Sequence, residues 1–247
     1  MARPTSSVED YRRLVRVGRL VGFSVRVEQT DLFIRAAVDL TAQAYDLVVA
    51  GRRRILDWAG QQPDFLTSLE PLPLAAAAPP PVKEMLAAGA RAGVGPMAAV
   101  AGAMAEFVGR GLKPSSPEGI IVENGGDVYL DAAGQVVIGL LAGRSPLSLR
   151  LGLLLTPDSM PVGVCTSSAT VGHSLSLGRA DAATVVADTA ALADAAATAL
   201  GNKVLRPDDI EPALDKTLAL PGVRGAVVVM GEKIGLLGDL EIVPLSR

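Results

Sequence analysis

Along the chain, short stretches of period-two hydrophobicity trade places with longer stretches of helical spacing. Residues 20–27 (LVGFSVRV) and 31–37 (DLFIRAA) predict two strands joined by a turn at Glu28-Gln29-Thr30. DLTAQAYDLVVAGRRRILDWAG then sets Leu40, Ala44, Leu47, Val48, Ile55 and Trp58 near helical spacing and predicts a helix over 39–60. The breaker-rich stretch 63–81, with PLPLAAAAPPP, predicts an extended surface crossing. A second helical region covers 82–111 and is interrupted at AGVGPM (92–97), where Pro96 suits the first position of a new helix. GIIVENGG, DVYLDA and QVVIGLLAG predict three strands, with turns at Gly125-Gly126 and Ala133-Gly134.

The second half replays this order. SLRLGLLL and MPVGVCTS predict strands, Ala182–Leu200 and Asp208–Leu218 helices, GVRGAVVVMG and LEIVPL strands. Each half reads strand–strand–helix–helix–strand–strand without sequence self-similarity. That pattern predicts an α+β fold, antiparallel sheets with helices on one face. The segment 182–200 is mostly alanine, with Asp188, Asp194 and Thr198 set in it. Small side chains let a helix backbone approach its neighbour closely, and alanine carries no propensity cost.

Composition narrows the classes. A chain of 247 residues allows one large domain or two small ones with a shared core. Apolar residues make up 49% but aromatics only 3%, so the core is built from Ala, Val and Leu. A net charge of −3, with basic residues thinly spread apart from Arg52-Arg53-Arg54, argues against nucleic acid as the main partner. A single cysteine cannot form an internal disulfide and fits a reducing compartment. MARPTSSVEDYRRLVRVGRL lacks the apolar stretch and cleavage site of a signal peptide, and no long uncharged apolar run follows. The expectation is a cytoplasmic protein with no membrane partner.

Few residues are left to carry chemistry. In ENGGD, Gly125 and Gly126 suit a hairpin turn, and they also let a ligand reach backbone amides between Glu123 and Asp127. Asp194 and Thr198, four apart, share a helix face; they are surface decoration or hard oxygen ligands for Mg²⁺, which completes its shell with water and phosphates. Cys165 ends a predicted strand ahead of Thr166-Ser167-Ser168-Ala169-Thr170. It is either a buried small hydrophobe or a thiol activated by the turn and reachable from the cleft holding Thr166 and Gly125. His173 stands between Gly172 and Ser174 in a polar loop, with a structural or an acid/base role open. No second Cys/His cluster offers a zinc site, and no Gly-x-Ser-x-Gly elbow, Walker A loop or Rossmann fingerprint occurs.

In their order and spacing, ENGGD, TSS…H and ADAAATAL resemble the motifs of the ApbE superfamily, whose best-known members are FAD:protein FMN transferases. The resemblance implies a tandem pair of T-fold-like modules, 15–143 and 147–246, within a single domain 1–247. It also implies FAD or FMN together with Mg²⁺. Asn124, Gly125, Gly126, Thr166, Ser167 and Ser168 match the nucleotide-binding elements, and Asp194 and Thr198 match the Mg²⁺ pair. Asp127 or His173 is then the acid/base, and a Thr or Ser hydroxyl of a protein substrate the acceptor. Val100-Ala101-Gly102-Ala103 stands where the transferases carry a lysine near the flavin. The wording of VGPMAAVAGAMAE and GVCTSSATVGHSLSLGRAD is similar to a cytoplasmic branch of the superfamily that has the cysteine at this place and is connected with sulfur assimilation. That implies a second reading: a sulfur-trafficking protein with a persulfide on Cys165 and a sulfur acceptor as partner. A non-catalytic binding module is a third.

Overall fold

The structure, a computed structural model, describes residues 20–170 and 177–245. Strands β1 (Val21–Val27), β2 (Thr30–Ala36), β3 (Gly119–Asn124), β4 (Asp127–Ala132), β7 (Val162–Ser167), β8 (Ala182–Ala187), β9 (Val223–Met230) and β10 (Lys233–Gly238) form one antiparallel sheet, β1-β2-β3-β4-β7-β8-β9-β10. Strands β5 (Val136–Gly139), β6 (Leu151–Leu155) and β11 (Glu241–Pro244) form a second sheet, β11-β6-β5. The helices are α1 (Thr41–Gln61), α2 (Val82–Ala92), α3 (Val100–Leu112), α4 (Ala190–Lys203) and α5 (Ile210–Leu218).

Strand alternation sorts the core into two layers. Ile34, Val122, Tyr129, Cys165, Val185 and Val228 face the helices. Ile121, Val128, Leu130, Val164, Val186 and Val227 face the small sheet. The fold is therefore three layers: helices, large sheet, small sheet.

The first half of the chain follows its hydrophobic pattern closely. Helix α1 buries Ala44, Val48, Gly51, Ile55 and Ala59, a single stripe at helical spacing. The β1–β2 turn is tighter than predicted, because Val27 pairs with Thr30 and only Glu28 and Gln29 remain between the strands.

The second half corrects the prediction in three places. Residues 182–187 are a strand, not the start of the alanine helix, which begins at Ala190. The β-branched Thr184-Val185-Val186 favours extended backbone, and β8 lies buried between β7 and β9. Thr189 then caps α4, its hydroxyl accepting from the Leu192 amide at 3.2 Å. Second, β6 belongs to the small sheet, so the strand pair that opens the second half is β7–β8. Third, β10 was not predicted: it is an exposed edge strand whose glycines dilute the alternation. Gly235 is needed there because a Cβ would overlap the Ile210 side chain.

Helix α4, half of it alanine, buries ten of its 14 residues, because small apolar side chains contribute stability only where they are packed. A Cβ at Gly102 would overlap the Ala190 carbonyl oxygen, and one at Gly163 would overlap the Ala190 backbone. Small residues on α3, β7 and α4 thus bring three backbones together at the first turn of α4.

Candidate functional site

The β3–β4 hairpin turns on Gly125 and Gly126, with φ of +68° and +116°. Asn124 pairs with Asp127 across this two-residue turn, and both central residues need positive φ. A Cβ at either glycine would meet nothing within 4 Å, so the backbone conformation selects glycine and the space beside the turn is open. The Gly126 amide donates to Glu123 Oε1 at 3.0 Å, and the Asn124 side-chain amide donates to the Ala101 carbonyl at 3.1 Å. That second bond ties the turn to the start of α3.

Asp127 shares the helix-facing side of β4 with Tyr129 and meets Cys165 there. Burial is the main cause that pushes the Asp127 carboxyl up to about 7, reinforced by the charge of Glu123 and opposed by hydrogen bonds from the Cys165 thiol and the Thr166 backbone. Cys165 is fully buried, and its Sγ also lies 3.4 Å from the Ala190 carbonyl oxygen. Burial pushes the thiol well above its ordinary value, and the charges of Asp127 and Asp194 add to this. The expected access to Cys165 from the cleft is therefore corrected. Cys165 pairs with Val185 inside β7, and its side chain points under the first turn of α4.

The hydroxyl-rich run after Cys165 is divided rather than gathered. Thr166 points to the opposite face of the sheet and bonds Thr184 at 2.9 Å. Ser167 returns to the helix side, where a Cβ on Gly201 would lie 3.2 Å from its Oγ. Ser168 donates to the Asp181 carbonyl at 2.7 Å. The Thr166 backbone hydrogen-bonds the Asp127 carboxylate. His173 lies outside the described residues.

Asp194 and Glu106 hold α3 and α4 together in a reciprocal way. Asp194, in the second turn of α4, accepts from the Gly102 amide at 2.9 Å in the first turn of α3. Glu106, in the second turn of α3, accepts from the Ala190 amide at 2.7 Å in the first turn of α4. Each carboxylate satisfies amides that the other helix leaves without an internal partner. Asp194 is thus a half-buried anchor and not a decoration on a solvated face. Thr198 lies one turn further along the same helix, also half-buried.

The two carboxylates differ in their counter-charges. Arg110 pairs with Glu106 Oε1. Burial raises the Glu106 carboxyl, while Arg110 and the α4 amides pull it down. Asp194 has no described ion pair; burial and then the charge of Asp127 push its carboxyl well above the ordinary range, against the Gly102 and Ala101 amides. Among the described residues no group of three or more His, Cys, Asp and Glu side chains is arranged to hold a metal ion.

A cavity of about 370 Å³ opens where Asn124 and Ala101 tie the glycine turn to α3, lined among others by those two residues, Val100, Met97 and Arg52. Residues that spacing did not single out thus complete the site: the Ala101 and Gly102 amides, Glu106 and the cavity wall. One signal for Glu106 was present, a lone carboxylate in the small-residue run VAGAMAE with Arg110 four residues on.

Antiparallel sheets with helices on one face give the protein an ApbE-like fold. The family model described as "AbpE bacteria" matches residues 12–236, and the chain belongs to this family. It is similar to a UPF0280 protein of Methanococcus aeolicus, 44% identical over 201 residues, which cover 80% of this chain and 81% of that one. A UPF0280 protein of Methanocella arvoryzae is 43% identical over 215 residues, 87% of each chain. Among solved structures, the apbe protein of Thermotoga maritima is similar in fold, with a TM-score of 0.59 at 12% identity, covering 87% of this chain and 96% of that one. Among the described residues no single helix is long and apolar enough to cross a membrane.

Proposed function

We propose that the protein binds a flavin nucleotide, FAD or FMN, together with Mg²⁺, and that its activity is of the FMN-transferase type in the cytoplasm. The observation that carries this reading is the meeting of Asp127 and Asp194. Two carboxylates converge next to an open glycine turn, and neither has a cationic side chain paired with it among the described residues. A divalent cation would relieve that charge. The hard-oxygen set Asp194 and Thr198 fits Mg²⁺, which takes one or two protein ligands and leaves the rest of its shell to water and phosphate. Family membership points the same way.

In this reading Asp194 anchors the cation while its other contacts hold it against α3. Thr198 offers a hydroxyl from the next turn. Asn124, Gly125 and Gly126 would meet the phosphates at the open turn; of the Thr166, Ser167 and Ser168 stretch, the Thr166 backbone, which bonds Asp127, stands nearest to them. Bound Mg²⁺ supplies Lewis acidity at the pyrophosphate. Asp127, poised near neutrality, or His173 takes the proton of an acceptor hydroxyl on a protein substrate. The reading also takes residues 15–143 and 147–246 as two modules of one domain, supported by the strand order, in which β1–β4 and β7–β10 form the two halves of the large sheet.

The sulfur-carrier alternative, with a persulfide on Cys165 and a sulfur acceptor, has the burial of that thiol and its raised pKa against it. A binding module without catalysis needs the same ligand. Titration of FAD fluorescence with the purified protein tests the reading: quenching that strengthens on adding Mg²⁺ is expected. Unchanged fluorescence at every Mg²⁺ concentration contradicts it.

A further inference from the structure

The basic triplet Arg52-Arg53-Arg54 splits three ways. Arg53 forms an exposed pair with Asp57 at 3.6 Å. Arg54 lies 5.1 Å over the Phe107 ring and donates to the Pro80 carbonyl at 3.1 Å. Arg52 turns instead to the β1–β2 hairpin, where its Nη1 donates to Thr30 Oγ1 and its Nη2 to Gln29 Oε1, both at 2.9 Å.

Those two acceptors are neutral, and among the described residues no carboxylate pairs with Arg52. A guanidinium carries five N–H donors in a rigid plane, so several stay available once the two bonds are made. Arg52 also lines the cavity of about 370 Å³, whose other walls include Ile55, Leu66, Met97 and Met104. The cavity reaches Asn124, and Leu32 pairs with Asn124, so Thr30 lies one diagonal step from the glycine hairpin.

A braced cation in a largely apolar cavity, whose other polar lining is Gln29, Thr30 and Asn124, suits a flat ring system with a carbonyl-bearing edge. The apolar side chains cover the ring faces, and the ring carbonyls require donors once they leave water. The volume is at the small end for ligand pockets and accommodates a fused ring better than a whole dinucleotide. We propose that Arg52 is a specificity-determining residue that reads the carbonyl edge of the ligand's ring, not its phosphates. This rests on the flavin reading above, and the flavin pyrimidine edge is the group of that chemistry.

Binding of riboflavin, FAD and ADP to the full chain separates the possibilities, since ADP lacks the ring and riboflavin lacks the phosphates. Arg52→Met should weaken riboflavin and FAD by roughly ten- to hundredfold and leave ADP unchanged. The midpoint potential of bound FAD should also fall, because a cation near the ring edge favours reduced, anionic flavin. Arg52→Lys keeps the charge but not the fork; it should retain most of the potential while losing several-fold in affinity, and it serves if the methionine variant fails to fold. An equal loss for FAD and ADP makes Arg52 a phosphate contact and overturns the proposal, as does unchanged riboflavin affinity in both variants. If the wild type binds ADP but neither flavin, the flavin reading fails and takes this inference with it. If it binds flavin and the variants do too, unchanged, Arg52 alone is removed.

Discussion

Helices α3 and α4 each contribute one carboxylate to the other's first turn, and the two carboxylates have different surroundings. Glu106 is 5% exposed and has a guanidinium beside it, so amides, carboxylate and counter-ion form a charge-complete joint. Asp194 has the same kind of amide bond but meets Asp127 and the Cys165 thiol where Glu106 meets Arg110. One end of the helix pair is finished as structure. The other is anionic and has no counter-ion among the described residues, which is the condition a cation site requires; open space does not separate the two ends, because Glu106 and Arg110 line a cavity of about 350 Å³ of their own. Shared geometry with unlike counter-charge is what separates a cap from a candidate site.

The largest expected effect removes both ends at once. Gly102→Val places a side chain against the Ala190 carbonyl and the Asp194 Cβ, where two helix backbones cannot separate without losing both amide bonds. A loss of about 3 kcal/mol or more in urea unfolding is expected, at the upper end for overpacking. A change under 1 kcal/mol would show that the helices slide freely and that the reciprocal joint is not rigid.

Breaking one end separates the two. Glu106→Ala leaves the buried Ala190 and Ala191 amides unsatisfied, while the half-exposed Arg110 stays solvated, and should cost about 2 kcal/mol. Asp194→Asn keeps an acceptor for the Gly102 amide and removes a charge that Asp127 opposes, so its stability should lie within about 1 kcal/mol of wild type. Equal, large losses in both variants would make the two ends alike.

The pH dependence sharpens the anionic end. Asp127 is raised from an ordinary value of 3.8 to about 7, so the folded state favours its protonated form. The stability this supplies is complete below about pH 4 and is lost as pH rises through about 7. Asp127→Asn should flatten the stability curve across that window and stabilise the protein at pH 8. A variant with the wild-type slope would remove Asp127 from the buried cluster. The smallest effect concerns Cys165: iodoacetamide should label the native protein only at the rate of unfolding. Prompt labelling of the folded chain would reopen the sulfur-carrier reading.

Much of this was legible in the sequence because the relevant signals are local. Period two found β1–β4, helical spacing found α1, and Gly125-Gly126 marked the hairpin. The alanine run signalled close packing, although its first six residues are the strand β8, where the β-branched Thr184, Val185 and Val186 outweigh their alanine neighbours. What stayed hidden depends on register and on contacts across long separations. Whether Cys165 faces the cleft or the core is decided by its pairing with Val185, and a shift of one residue would reverse it. Likewise, Gly102 and Asp194 stand 92 residues apart, so no spacing rule could show that this carboxylate caps α3.

The most direct measurement of the central claim is calorimetric binding of ADP, with and without Mg²⁺, to wild type, Asp194→Asn and Glu106→Gln. The account predicts that wild type and Glu106→Gln bind more tightly when Mg²⁺ is present and that Asp194→Asn loses this dependence while remaining folded. The same Mg²⁺ dependence in all three proteins, or its loss in Glu106→Gln as much as in Asp194→Asn, would contradict it.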